Sequence, residues 1–467
     1  MSPFWSKDPF QELEKSLGKG RVFRKPEDLA LYGMDATKYR GEPVAVVLAE
    51  SAQDVQETVR FAVRRGISVT PRGAGSGLSG GSVPIEGGIV ISLERMNAIE
   101  TIDTRTLTAL VQPGVVTSEL QAKVSKFRLF YPPDPSSHTI STIGGNVAEN
   151  AGGLRCFKYG VTSHYVRGIE YVDADGELKT TGSFAGDSFE PDMTPLLVGS
   201  EGTLGIFTRI ELQLLLLPPA NATIAAYFSS RETALLNVEA IVGAGIVPSI
   251  MEYIDKLALR ASAEHLGYPF NEKAEALLLI ETDGREEECA RDAKAIMELL
   301  RKSAIEIQSA SSNEEREKLW KLRRSISPSL IRLASGRIHE DVAVPRGKIA
   351  ALAREIDRVS EEAGLSIPVY GHAGDGNLHV VILFEAADSK QAETAEVVSK
   401  TIFRSALNLG GTITGEHGVG YAKRDILDWQ LDGQVIGLSR KIKRIFDPQG
   451  VLNPSKLLPE QVPLQVS

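Results

Sequence analysis

Phe10, Leu13 and Leu17 recur at helical spacing and predict a helical lead-in over the first forty residues. Beyond them, apolar runs alternate with amphipathic stretches. Pro43–Leu48 predicts a short strand, the stretch from Ser51 to Arg65 a helix, and Ile67–Thr70 a second strand. A third strand, Gly88–Leu93, follows with no helix between. Positions from Ile99 to Gly114 alternate as strands do, and Thr117–Lys126 predicts a helix that ends before Pro132-Pro133. Two strand-like runs flank Val172-Asp-Ala-Asp-Gly176, a hairpin signal. The run Ile206–Leu217 closes at Pro218-Pro219, the best domain boundary in the chain.

From Ala220 the texture changes. Strands over Ala222–Phe228 and Ala276–Thr282 alternate with charged helices over Arg285–Lys302 and Asn313–Arg324, which suggests a separate α+β domain. A strand over Leu378–Phe384 and the turn-rich stretch Phe446–Pro454 close the pattern.

Composition narrows the class. Hydrophobic residues are 42% and charged residues 24% of 467, as in an ordinary globular chain, so disordered and fibrous classes are excluded. The net charge of −9, with no long basic run, argues against nucleic-acid binding. Two cysteines, Cys156 and Cys289, make neither a disulfide framework nor a Cys-type metal site, which suits a reducing, cytoplasmic location. The N-terminus shows no apolar core followed by a cleavage site, and Leu212–Leu217 is too short to span a bilayer. Cys156, beside Arg155 and Lys158, is expected to have a lowered thiol pKa.

The 43 glycines cluster. Gly75-Ser-Gly-Leu-Ser-Gly80 matches Gly-x-Gly-x-x-Gly, but a strand follows where a dinucleotide fold requires a helix, and no Gly-Lys-Ser/Thr follows for a P-loop. Such a loop can instead cradle an anion with successive backbone N–H groups, Arg72 adding a positive charge at the mouth; the alternative is a set of tight turns. Three clusters in one domain, Pro71–Gly81, Ile143–Gly153 and Gly199–Gly205, favour a large diphosphate ligand.

These three ordered stretches resemble the flavin-contacting loops of FAD-linked oxidases of the vanillyl-alcohol oxidase type, in the branch of the glycolate oxidase D-subunit and D-lactate dehydrogenase. The resemblance runs from about Pro43 to Leu458. It implies an α+β protein: a two-subdomain FAD-binding domain over residues 1–218, a substrate-binding cap domain over 219–410, and a C-terminal segment, 411–467, that returns to the flavin. It assigns cofactor contacts to Pro71, Arg72, Gly73, Ala74, Gly75, Ser76, Gly77, Leu78 and Ser79, the pyrophosphate cradle. Pro135, Ser136, Ile143, Gly144, Gly145, Asn146, Ala148, Asn150, Ala151, Gly152 and Gly153 are implied at the ring and ribityl chain, with Tyr159 and Gly160 as further cofactor contacts. Glu201, Gly202, Leu204, Gly205 and Ile206 are implied on the adenosine side, and Asn453 at the ring edge. The first loop has no histidine and His138 lies outside the second glycine run, so noncovalent FAD is expected.

Three of the seven histidines fall in two short segments, Gly371-His-Ala-Gly-Asp-Gly-Asn-Leu-His379 and Gly415-Glu-His-Gly418. Two imidazoles and one carboxylate form a ligand set for a divalent transition metal with open positions; the alternative is histidines that satisfy turn carbonyls. The resemblance makes His372, His379 and Glu416 the ligands of a zinc, manganese or iron ion. His417 is left for proton transfer, since imidazole titrates near neutrality. In the helix-ending Trp320-Lys-Leu-Arg-Arg324, Arg323 matches the family's carboxylate-binding arginine, with Ser327 one turn on and His339 a further candidate substrate contact.

The resemblance thus implies metal-assisted oxidation of a D-2-hydroxy acid, with hydride transfer to flavin N5. His339 and Val381 stand where relatives acting on dicarboxylates often carry lysine and asparagine, so the expected substrate is D-lactate or glycolate rather than D-2-hydroxyglutarate. With no cysteine cluster, electrons should leave to an iron–sulfur subunit, an electron-transfer flavoprotein, a cytochrome or a quinone. A dioxygen-using oxidase and an electron-relay subunit are the alternatives. The basic stretch Ser439–Arg444 is either a solvated face or a peripheral docking surface for a membrane or an acceptor.

Overall fold

A computed structural model describes residues 8–185 and 191–460. Residues 1–7, 186–190 and 461–467 lie outside the described residues. The chain forms two compact units. One comprises the residues up to Ala151, Val161–Leu217 and the chain from His417 on; the other comprises Gly152–Gly160 and Pro218–Glu416.

In the first unit, helix Phe10–Leu17 packs Phe10 against Phe61 of helix Ala52–Arg65, ring centroids 5.4 Å apart. Ser51 caps the longer helix by accepting the Asp54 N–H, and Gly66 ends it at φ +64. Both helices cover a four-stranded sheet in the order Val22–Phe23, Ala45–Leu48, Ile89–Ser92, Val69–Arg72, parallel except for the first strand. A five-stranded antiparallel sheet contributes the second layer: Ile99–Asp103, Thr108–Val111, Ile206–Gln213, Val166–Val172, Leu178–Gly182. The C-terminal stretch returns to the first sheet, where the Val69 N–H donates to Val451 and the Asn453 N–H to Val69.

Three local features differ from the sequence-based expectation, the first being that the helical lead-in over the first forty residues is broken by the strand Val22–Phe23. The second glycine cluster holds a helix, Ile143–Glu149, capped by Thr142 and ended by Asn150 at φ +50. Its seven residues are too few and too glycine-rich for a visible hydrophobic period. The basic stretch 439–444 is half committed inward: Lys443 donates to the Thr203 and Leu452 carbonyls and pairs with Asp447, and Arg440 donates to the Pro459 carbonyl. Only Lys441 and Arg444 of its cations are exposed. No helix among the described residues is long and apolar enough to cross a membrane.

The second unit is built on one seven-stranded antiparallel sheet. Its order is Glu306–Ser309, Ala220–Phe228, Ala276–Gly284, Ile250–Asp255, Val369–His372, Asn377–Phe384, Gly336–Ala343. Because strand side chains alternate, register decides which residues share a face. Glu252 pairs with His372, Tyr370 with His379 and His379 with Asp341, which puts these polar groups on one face. The same face carries Ile250, Ile254, Leu277 and Leu279, packed against Leu259, Trp320, Ile326 and Leu330 from the helices Lys256–Leu266, Asn313–Arg324 and Ile326–Leu330. A wall of apolar packing thus holds a patch of buried polar residues.

Candidate active site

The polar patch in the second unit is built by a tight turn between two strands. Val369–His372 ends at His372 and Asn377–Phe384 begins two residues before His379, so both imidazoles return to one place. Gly376 lies in that turn at φ +79, and a Cβ there would overlap the Val344 carbonyl oxygen. The two rings meet edge to face, centroids 5.0 Å apart.

Glu416 joins them. Its Oε1 lies 3.1 Å from His372 Nε2 and 3.6 Å from His379 Nε2. One ligand atom from each of the three residues fits within 4.8 Å of the others. Asp341, fully buried, aims Glu416: its Oδ2 accepts the N–H groups of Gly415 and Glu416, both at 2.8 Å, and the Thr414 hydroxyl at 3.1 Å. Asn377 donates to Asp341 Oδ1 at 2.6 Å.

Behind the imidazoles sits Glu252, on the buried strand Ile250–Asp255. Its Oε1 is 2.5 Å from His372 Nδ1 and its Oε2 is 2.5 Å from Arg323 Nε. An ionised carboxylate only accepts, so His372 Nδ1 carries a proton and leaves Nε2 to face Glu416. Burial alone would raise the Glu252 carboxyl, but the Arg323 guanidinium and His372 win and hold it down to about 2. Burial disfavours charge on His372 too, yet Glu252 and Glu416 push its pKa well above the usual imidazole value. The two carboxylates therefore call for positive charge between the imidazoles, and the donor set of two nitrogens and an oxygen fits a divalent transition metal.

Arg323 lies over the Tyr370 ring at 4.9 Å, and its Nη2 is buried with no hydrogen-bond partner. A buried guanidinium nitrogen without a partner is costly unless a ligand meets it. Ser327 is exposed one turn on, and His339 shares the sheet face of Asp341, opposite Val381. Cys156 departs from expectation: burial first, then the nearby Glu416 and Asp375 carboxylates, push its thiol pKa up, and Lys158 pairs with Asp283 instead.

The glycine clusters lie mainly in the first unit. Residues 73–77 are partly exposed between buried Arg72 and Ser79, and a Cβ on Gly77 would meet only open space. This bare backbone suits the close approach of a diphosphate, and so fits FAD. Arg72 is not at the mouth. Its guanidinium donates to the Met34 carbonyl, lies over Tyr32 and occupies the space beside Gly75.

Asn453, at φ +40, donates to the Gly81 and Glu201 carbonyls at 2.9 and 2.7 Å, tying the first and third clusters. Glu201 turns its carboxylate to the N–H groups of Val419 and Gly420. In the second cluster, Asn146 donates to Thr117 and Asn150 accepts the Ser163 N–H. Pro135 is buried and accepts from His138, while Ser136 is exposed. Gly152, Gly153, Tyr159 and Gly160 belong to the other unit, where the Tyr159 hydroxyl donates to Asp283 at 2.7 Å. His417 opens the C-terminal stretch of the first unit, the next residue after Glu416.

Sequence reasoning missed Glu252, Asp341 as an anchor, and Asn377. The signal for Glu252 was a lone acid inside the apolar strand Ile-Met-Glu-Tyr-Ile.

Two family models match the chain: the FAD binding domain over residues 43–182 and the C-terminal domain of FAD linked oxidases over 217–457. The glycolate oxidase subunit GlcD of Bacillus subtilis is 40% identical over 430 residues, which cover 91% of this chain and 92% of that protein. A D-lactate dehydrogenase of Anaerostipes hadrus is 33% identical, covering 92% of this chain and 91% of its own. Among solved structures, substrate-bound p-cresol methylhydroxylase superposes with a TM-score of 0.80 at 17% identity, covering 96% of each chain.

Proposed function

The chain belongs to the FAD-linked oxidases, and from that premise we propose that it oxidises a small D-2-hydroxy acid, D-lactate or glycolate, to the 2-oxo acid. The observation that carries this reading is the His372–His379–Glu416 cluster linked through Glu252 to an arginine with an unpartnered nitrogen. A 2-hydroxy acid carries adjacent groups that match it, a hydroxyl that a cation can acidify and a carboxylate that a guanidinium can bind.

In this reading FAD is held without a covalent bond by the backbone of residues 71–79, 143–148, 150–151 and 202–206 and by Asn453. Bound FAD would supply the two-electron acceptor for the oxidation at C2. A zinc, manganese or iron ion held by His372, His379 and Glu416 supplies Lewis acidity toward the hydroxyl.

The chain's own groups do the rest. Arg323 binds and orients the substrate carboxylate through its free nitrogen, with Ser327 and His339 as flanking contacts. Glu252 keeps the proton on His372 Nδ1 and holds Arg323 in place. His417 takes the hydroxyl proton on an imidazole nitrogen. Val381, opposite His339, offers no side-chain donor for a second carboxylate, which favours a monocarboxylate over D-2-hydroxyglutarate.

The chain's two cysteines build no iron–sulfur cluster, so electrons pass to a separate acceptor: an iron–sulfur subunit, an electron-transfer flavoprotein, a cytochrome or a quinone. The relative named as a glycolate oxidase subunit supports an acceptor chain.

Anaerobic mixing with D- and L-2-hydroxy acids tests the reading. D-Lactate or glycolate should bleach the flavin and L-lactate should not; a flavin that no hydroxy acid bleaches leaves only a relay role. His417→Ala should retain flavin and metal while kcat falls at least about 100-fold, the scale of a lost general base.

A further inference from the structure

Two carboxylates in the first unit, Glu201 buried and Glu149 partly buried, have no side-chain role in this chemistry. Glu149 ends the helix Ile143–Glu149, and Glu201 stands in the third glycine cluster at φ +51. Both face the stretch just after His417. Glu201 Oε1 accepts the Val419 N–H at 2.8 Å, and its Oε2 accepts the Gly420 N–H at 2.6 Å. Glu149 Oε1 takes the Ser79 hydroxyl at 3.4 Å, whereas its Oε2 is buried and has no hydrogen-bond partner. A Cβ on Gly418 would overlap Glu149 Oε2 and stand 2.9 Å from Glu201 Oε1, so the two acids converge at that glycine. The Ser79 carbonyl, moreover, accepts the N–H groups of Tyr421 and Ala422, both at 2.9 Å. Ser79 of the first cluster and Glu201 of the third thus grip the segment that follows His417, and Glu149 of the second abuts it at Gly418.

Protonation follows from the donors. Glu201 has two N–H donors, with the cations Lys423 and Lys456 nearby, and can be ionised. Glu149 has one weak donor and faces the acids Glu201 and Asp35. A charged oxygen there, buried and without a donor, would be very costly, so Glu149 holds a proton. Burial, first among the causes, pushes the Glu149 carboxyl well above the usual carboxylate range and Glu201 up to about 7.

We propose that Glu149 and Glu201 share a single proton, Glu149 donating and Glu201 accepting, and are positioning residues that seat the loop carrying His417. The proposal rests on His417 acting as the base. Loss of the shared proton to solvent would set two negative charges against each other across Gly418 and displace the loop, so turnover should fall on the alkaline side.

Glu149→Gln keeps the shape and a donor but cannot ionise. Its holoenzyme should keep neutral-pH kcat within about threefold, while the alkaline limb of kcat moves up by about one pH unit or more. Glu201→Gln should lower kcat about tenfold with FAD content and KM little changed, since one backbone N–H then faces an amide NH2. Infrared spectra of the holoenzyme, titrated across the same range, should show a protonated-carboxyl band that Glu149→Gln removes.

An alkaline limb in Glu149→Gln that superimposes on wild type, or no such band, overturns the proposal. His417→Ala separates the two claims. If it retains turnover, the base assignment falls, and with it the positioning role, while the band still reports the shared proton. If it loses turnover and Glu149→Gln leaves the profile unshifted, the base stands and the acid pair falls.

Discussion

Glu252 is one side chain with two obligations, and its chemistry makes a sharp substitution. As a carboxylate it accepts from both His372 Nδ1 and Arg323 Nε. Glu252→Gln offers one oxygen and one NH2. If the oxygen stays with Arg323, the NH2 faces His372 Nδ1 and favours the tautomer with the proton on Nε2, which cannot bind a metal. Metal content at a fixed free-metal concentration should therefore drop, affinity falling about 10- to 100-fold. KM for the hydroxy acid should rise with it, because Arg323 loses its charge partner. Elemental analysis beside steady-state kinetics checks both halves. Histidines at either end of a glycine turn were legible as a cluster from their scarcity and spacing. Glu252 was not, because a lone acid in an apolar strand reveals its partners only when the register Glu252–His372 is known. Arg72 misled for a related reason: sequence shows a charge beside a glycine loop but not which way it turns.

At the scale of elements, strands and helices that alternate between apolar and polar faces were legible to within two residues at most ends. Asn313–Arg324 falls where its pattern predicts, and Ala52–Arg65 starts one residue past its Ser51 cap. Illegible parts are those fixed by tertiary contact. The helix Ile143–Glu149 forms from a glycine-rich run because Thr142 caps it and Asn146 is held by Thr117. Trp320 and Arg316 were visible as a helix face, but their shared acceptor, buried Glu281 on another strand, was not. The turn Ala373–Gly376 joins the two imidazoles, so its backbone is a direct test of the proposed metal site. Gly376→Ala places a side chain at positive φ and against the Val344 carbonyl. We expect a loss of about 1–3 kcal/mol in stability, read as a lower denaturant midpoint at unchanged m. Metal content should fall in the folded variant, because the strand ends carrying His372 and His379 can no longer close together. An unchanged midpoint would show that the turn relaxes without cost.

For the whole molecule, the proposed metal ligands and most of the glycine clusters fall in different units, and this makes metal removal informative. His372, His379, Glu416, Arg323 and Glu252 all lie in the unit built on the seven-stranded sheet, while most glycine-cluster residues lie in the other. A chelator strong enough to strip the ion should abolish turnover yet leave the FAD-to-protein ratio and the flavin absorbance unchanged. The second unit alone should then lose stability, because a ligand that binds only the folded state contributes about 2.7 kcal/mol at 100 times its Kd. Calorimetry should resolve this as a lowered transition that zinc, manganese or iron restores together with activity, whereas removing FAD should lower a different transition. His379→Ala should imitate the chelated enzyme and resist rescue by added metal at concentrations that restore the wild type. Full turnover in a preparation verified free of metal would remove the ion from the reaction. It would also recast the His372–His379–Glu416 cluster as a proton-holding site, in which positive charge between the two carboxylates is met by protonated imidazole alone.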